Sequence, residues 1–132
     1  MENKGNINNY LKNALVLAYL GDSVFTLLVR EFLVKSYDYK PNMLNKLCNN
    51  VVCAKNQAQI FKEIKQTLNQ DEIDITMRAR NNHLNNNKAK NSTIEEYSLA
   101  TQFEALIGYW YLNNQKNKID ELFNKYVVEK LC

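Results

Sequence analysis

Three glycines and one proline are the only strong helix breakers among 132 residues. A fold made of many short strands needs a turn about every 8–12 residues, and those turns lean on Gly and Pro. So sparse a supply points to long helices instead, and the abundance of Leu, Lys, Glu and Asn is compatible with them. Apolar residues recur at helical spacing almost throughout, and no alternating strand pattern competes. The expected fold class is therefore all-α, a helical bundle forming a single domain over 1–132. At 45% apolar residues the chain can bury a real core.

Several function classes are excluded at this level. The formal charge of +3 is weakly basic and selects no partner by itself. Cys48, Cys53 and Cys132 are odd in number, form no CxxC pair and have only His83 for company, so no zinc site is expected. They read as free or buried thiols of a reducing cytoplasm. No run of about 18 apolar residues exists to cross a membrane. The apolar Ala14–Leu20 is too short and too far in for a signal peptide.

The periodicity predicts a first helix over Ile7–Leu20, with Tyr10, Leu11, Ala14, Leu15 and Ala18 on one stripe. Gly21-Asp22-Ser23 punctuates it, and a second helix follows to about Lys35. Pro41 suits a first helical turn, and helix runs from there to Leu68 with a break near Cys53. Asn69 with Glu72 forms a capping box for a helix carrying Ile73, Met77, Arg78 and Arg80. The polar, Asn-rich stretch His83–Thr93 reads as a loop. Ser92 with Glu95, or Thr93 with Glu96, caps a helix to Leu112, and an amphipathic helix over Lys118–Leu131 closes the chain.

Two carboxylates sit among apolar neighbours. Asp22 lies between LAYLG and SVFTLLV, where it is either a helix N-cap or something the fold has to accommodate. Glu104 lies in TQFEALIGYWYL, on a helix that is apolar on most sides and so central. A charge there must be solvated, paired with a Lys or Arg, or bound to a cation. Mg²⁺ is held by one or two such carboxylates, with waters and substrate phosphates filling the rest of its shell. If Gly21 and Gly108 mark a close helix crossing, Asp22 and Glu104 meet across it.

LAYLGDSVF and FEALIGYWYL resemble the signature helix and second acidic motif of the ribonuclease III family. KPNMLNKL, CAKNQAQ and RARN follow the order and spacing of its Mini-ribonuclease III group, which lacks a double-stranded-RNA-binding domain. The resemblance covers about Leu15–Leu112. It implies an all-α, dimeric, Mg²⁺-dependent endoribonuclease, with Mn²⁺ as a substitute, acting on double-stranded RNA such as precursor large-subunit ribosomal RNA. Asp22 and Glu104 match the catalytic, metal-holding acids. Two further acids of the full-length enzymes are replaced by Ala18 and Thr101, a reduction the Mini group shares. This implies that waters and RNA phosphates complete the metal shell. Ala79 in RARN, Ser98 and the segment HLNNNKAKN depart from the Mini pattern.

The basic residues Arg78, Arg80, Lys88 and Lys90 have no acid between them and read either as a solvated loop or as a phosphate-tracking element. Through the family motifs, Lys55 and Asn81 join them as RNA-binding candidates. The partners implied are duplex RNA and a second copy of the chain, with room for a ribosomal-protein accessory. The competing class is a non-catalytic helical RNA-binding or ribosome-assembly module. An all-helical nucleotide pyrophosphohydrolase would need an ExxE pair on one helix, and none occurs.

Overall fold

The computed structural model describes the backbone of residues 13–86 and 93–131 and the side chains of 13–82 and 93–131. Those residues form helices α1 (Ala14–Ser36), α2 (Pro41–Val52), α3 (Ala54–Ile64), α4 (Gln70–Asn86), α5 (Ile94–Leu112), α6 (Lys116–Phe123) and α7 (Glu129–Leu131). A 3₁₀ turn, Lys65–Thr67, follows α3, and a π-helical turn, Asn124–Val128, joins α6 to α7. No strand occurs among the described residues, and no helix among them is long and apolar enough to cross a membrane.

The middle of the bundle is α5, which packs against α1, α3, α4 and α6. Its sequence explains this position, since eleven of its residues are buried, on nearly every side. The main core joins Phe25, Val29 and Leu33 of α1 to Ile60, Phe61, Phe103, Leu106, Ile107 and Phe123. Phe25 meets the Phe103 ring edge-on at 5.1 Å between centroids, a favourable aromatic geometry. A second, smaller cluster sits where Ala14, Leu17 and Ala18 meet Ile75, Ala79 and Ala105, so small side chains let α1, α4 and α5 converge.

Local signals set most of the boundaries. Asn13 caps α1 by accepting from Leu15 N. Pro41 occupies the first turn of α2, and Cys53, extended at ψ 156°, breaks α2 from α3. The capping box is reciprocal: Asn69 N donates to Glu72 Oε1 at 2.9 Å, and Glu72 N donates to Asn69 Oδ1 at 2.9 Å. Thr93 Oγ1 accepts from Glu96 N at 3.0 Å at the start of α5. Asn114, at φ 58°, turns the chain after α5.

Two expectations are corrected. α1 runs without interruption through Gly21-Asp22-Ser23, so Asp22 is mid-helix and caps nothing. Helix α4 continues to Asn86, into the stretch expected as loop, because the capped start propagates one backbone bond per residue against only modest Asn propensity costs. The side of α4 that faces inward carries Ile75, Thr76 and Ala79, while Ile73 and Met77 are exposed. Tyr10, Leu11, Lys88, Lys90 and Cys132 lie outside the described residues. Cys48 is buried and Cys53 exposed, both as free thiols.

Glu72 does more than cap. Its Oε2 accepts from Trp110 Nε1 at 2.8 Å and from Lys118 Nζ at 2.6 Å, tying α4 to α5 and α6. Burial pushes its pKa up, but the hydrogen bonds from Lys118, Trp110 and Asn69 and the Lys118 charge outweigh that and hold it below its ordinary value. This buried glutamate is fully provided for.

Candidate active site

Glu104 is the contrasting case. It sits in the middle of α5 where that helix crosses α1, and the crossing is set by two glycines. A Cβ built on Gly21 would overlap the carbonyl oxygen of Glu104 and lie 2.8 Å from the backbone nitrogen of Gly108. One on Gly108 would overlap the carbonyl oxygen of Leu17 and lie 3.2 Å from Gly21 N. Leu17 and Gly21 are one helical turn apart, as are Glu104 and Gly108, so the two backbones meet reciprocally. Gly21 thus rests on the backbone of Glu104, and its neighbour Asp22 is carried to the Glu104 carboxylate.

The electrostatics record that meeting. The Glu104 carboxyl is pushed up from its ordinary 4.5 to about 8, first by burial, then by the Asp22 charge and a hydrogen bond with Asp22, against a smaller opposing effect of the Gln57 amide. The described ion pairs are Lys35 with Glu31 and Lys118 with Glu72. Neither Asp22 nor Glu104 is paired with a cation among the described residues, so no buried Lys or Arg partner stands among them. Asp22 is exposed and Glu104 only half-buried, and the site opens along α1 into a depression lined by Asp22, Ser23, Thr26, Leu27 and Arg30.

The residues fit a divalent cation in a limited way. Two carboxylates with no countercharge among the described residues form a hole that a cation would fill. Among the described residues no third His, Cys, Asp or Glu joins them. Ala18 is buried, and Thr101, one turn before Glu104, spends its hydroxyl on Tyr97 O at 2.9 Å. Among the described residues no further acid, imidazole or thiol supplies the remaining ligands of such an ion.

The ribonuclease III domain family matches residues 15–115, a span that holds both carboxylates and the glycine crossing. The chain belongs to the ribonuclease III family. It is 42% identical over 112 residues to Mini-ribonuclease 3 of Brevibacillus brevis, covering 85% of this chain and 83% of that protein. Against Mini-ribonuclease 3 of Staphylococcus aureus it is 34% identical over 129 residues, 96% of each. A crystal structure of a Fusobacterium nucleatum protein superposes with a TM-score of 0.81 at 32% identity, covering 89% of this chain and 93% of that one. As a ribonuclease III family member the chain is an endoribonuclease.

The RNA-binding candidates are distributed differently. Lys55 is exposed in the first turn of α3, and Arg78, Arg80 and Asn81 are exposed on α4. Arg78 and Arg80 flank the buried Ala79 and leave the helix about 200° apart. They therefore straddle α4 and do not form one patch. Arg80 Nη1 donates to Asn81 Oδ1 at 3.5 Å and borders a groove with Lys65, Met77 and Gln102. One further residue beside the carboxylates lies within CAKNQAQ, a stretch that pointed only to Lys55. Gln57 is buried, and its signal is a polar side chain on the α3 stripe of Ala58, Ile60, Phe61 and Ile64.

Proposed function

We propose that this ribonuclease III family chain hydrolyses double-stranded RNA at the Asp22–Glu104 pair, with a divalent ion held between the two carboxylates. One observation carries the reading. Among the described residues Glu72, turned inward, has its lysine, whereas Glu104 has a second carboxylate. A fold gains nothing in stability from such a pair, and sites that perturb a carboxyl this strongly are where chemistry concentrates. The relatives named Mini-ribonuclease 3 support the same assignment.

What a bound Mg²⁺, or Mn²⁺ in its place, supplies is neutralisation of the phosphate, activation of a water and stabilisation of the leaving oxygen. The chain's own part is to hold two negative oxygens at a rigid crossing, open to solvent on the Asp22 side. With two protein ligands, the substrate's phosphates complete the site, which couples catalysis to RNA docking. Lys55, Arg78, Arg80 and Asn81 contact the RNA backbone, with Lys88 and Lys90 as the continuation of that basic run. Duplex RNA is read mainly by shape, so one small domain confers little base specificity.

The working form in this reading is a homodimer in the cytoplasm, and its target a precursor ribosomal RNA, with a ribosomal protein as accessory. Support for the dimer comes from α1. Val16, Leu27 and Val34 share an exposed face of that helix, with Tyr19, 82% exposed, beside them. Asp22 belongs to the same helix, so pairing two copies along α1 brings two sites to one duplex, one for each strand.

A plain RNA duplex incubated with the protein tests the function. Cleavage with Mg²⁺ and none in chelator is the expected result. An intact duplex across Mg²⁺ and Mn²⁺ titrations would favour the non-catalytic RNA-binding module. The interface has its own test. Arg78→Ala with Arg80→Ala should weaken duplex binding in metal-free buffer and lower the slope of log Kd against log salt by about 1–2. An unchanged slope removes α4 from the interface.

A further inference from the structure

Beside Glu104 the fold leaves one donor unspent. Gln57 is 2% exposed, on the inward stripe of α3 with Ala58, Ile60, Phe61 and Ile64. Its Nε2 is buried with no hydrogen-bond partner among the described residues, the one side-chain atom there in that state. Buried amide donors are otherwise almost always satisfied, and leaving one empty is costly. A leucine would fill the same volume without that cost. The neighbour explains the choice, because the Gln57 amide lies against the Glu104 carboxyl, close enough to favour its charged form without closing a well-formed bond.

We infer that Gln57 is a positioning residue of the site, its Nε2 held ready to donate to the Glu104 carboxylate and fix that carboxylate's orientation toward Asp22 during turnover. The inference rests on the reading of Asp22 and Glu104 as the active site. Outer partners that orient a ligating carboxylate typically change activity by about 10–100-fold when lost. A residue kept for packing alone behaves in the opposite way, since its loss shows first in stability.

Gln57→Leu and Gln57→Glu separate the two. Leucine keeps the bulk and removes the polar head; glutamate keeps the length and removes the donor. The full chain is assayed for kcat and KM on an RNA duplex with Mg²⁺, for duplex binding in metal-free buffer, and for thermal melting without metal. Gln57→Leu is expected to melt at or above the wild-type temperature and to bind RNA within twofold. Its KM should stay within twofold, while kcat drops about 10–100-fold. Gln57→Glu should lose kcat as well. Wild-type kcat in Gln57→Leu, or a melting temperature that falls together with kcat, overturns the inference and returns Gln57 to the core. Asp22→Asn runs alongside: if it is inert while Gln57→Leu is fully active, only the Gln57 role fails. If Asp22→Asn cleaves normally, or the wild type is inert, the site reading fails and this inference with it.

Discussion

Glu104→Gln should abolish cleavage of duplex RNA, by at least about 10³-fold, equivalent to roughly 4 kcal/mol of transition-state stabilisation. Asp22→Asn should do the same. Each substitution preserves size and removes one of the two carboxylates gathered at the α1–α5 crossing, and among the described residues no other acid joins them to take over. Duplex binding in metal-free buffer should survive, because the described cations assigned to it, Lys55, Arg78 and Arg80, sit on α3 and α4. Cleavage at near wild-type rate by either variant removes the pair from the chemistry. The same Glu104→Gln protein should be more stable than wild type. In the folded, metal-free chain Glu104 keeps its proton up to about 8, whereas an unfolded chain loses it near an ordinary carboxylate value. Between those limits the folded state binds the extra proton, so wild-type stability falls as pH rises through that window. Glutamine has no proton to lose. Its advantage in melting temperature should be small at pH 4.5 and largest near pH 8, measured in chelator.

That both acids were visible before the fold was known, and their meeting only conditional, has a physical reason. Glu104 stands out because its helical neighbours Ala100, Ile107 and Gly108 are apolar or small, and α5 does occupy the centre of the bundle. Gly21 is ambiguous in one dimension. A glycine between two apolar segments fits a turn or a close helix approach equally well. Here tertiary contact decides, because a glycine costs a helix about 1 kcal/mol, and α1 carries it unbroken in order to dock on α5. Gln57 shows the opposite difficulty. It is a polar residue on an apolar stripe, and nothing in its own helix says that Glu104 is what it faces. Arg78 and Arg80 look like one basic cluster until α4 is known to continue past them with Ala79 buried. Glu72 announced its cap through Asn69, while its bonds to Trp110 and Lys118 span 38 and 46 residues and leave no local trace.

Gly21→Ala should be the more disruptive of the two glycine-to-alanine changes at the crossing. Two effects oppose one another. Alanine favours helix over glycine by about 1 kcal/mol, and α1 is helical on both sides. Against that, the new methyl would occupy the space of the Glu104 carbonyl oxygen and sit 2.8 Å from Gly108 N. These are backbone atoms of the central helix, not the yielding tip of a side chain. The overlap can be relieved only by moving α1 away from α5, which opens the cluster of Leu17, Ala18 and Ala105 as well. Overpacking of this kind costs about 1–3 kcal/mol and more when the backbone has to shift, so the clash wins. A net loss near 2 kcal/mol corresponds to a fall of roughly 5–10 °C in melting temperature for a chain of this length. Gly108→Ala should follow, since its methyl meets the Leu17 carbonyl on the same seam. Whatever folds at low temperature should have lost cleavage out of proportion to its folded fraction, because separating the helices separates Asp22 from Glu104. A melting temperature raised by the alanine, as helix propensity alone would have it, would mean that the crossing is looser than drawn and that the glycines do not hold the two acids together.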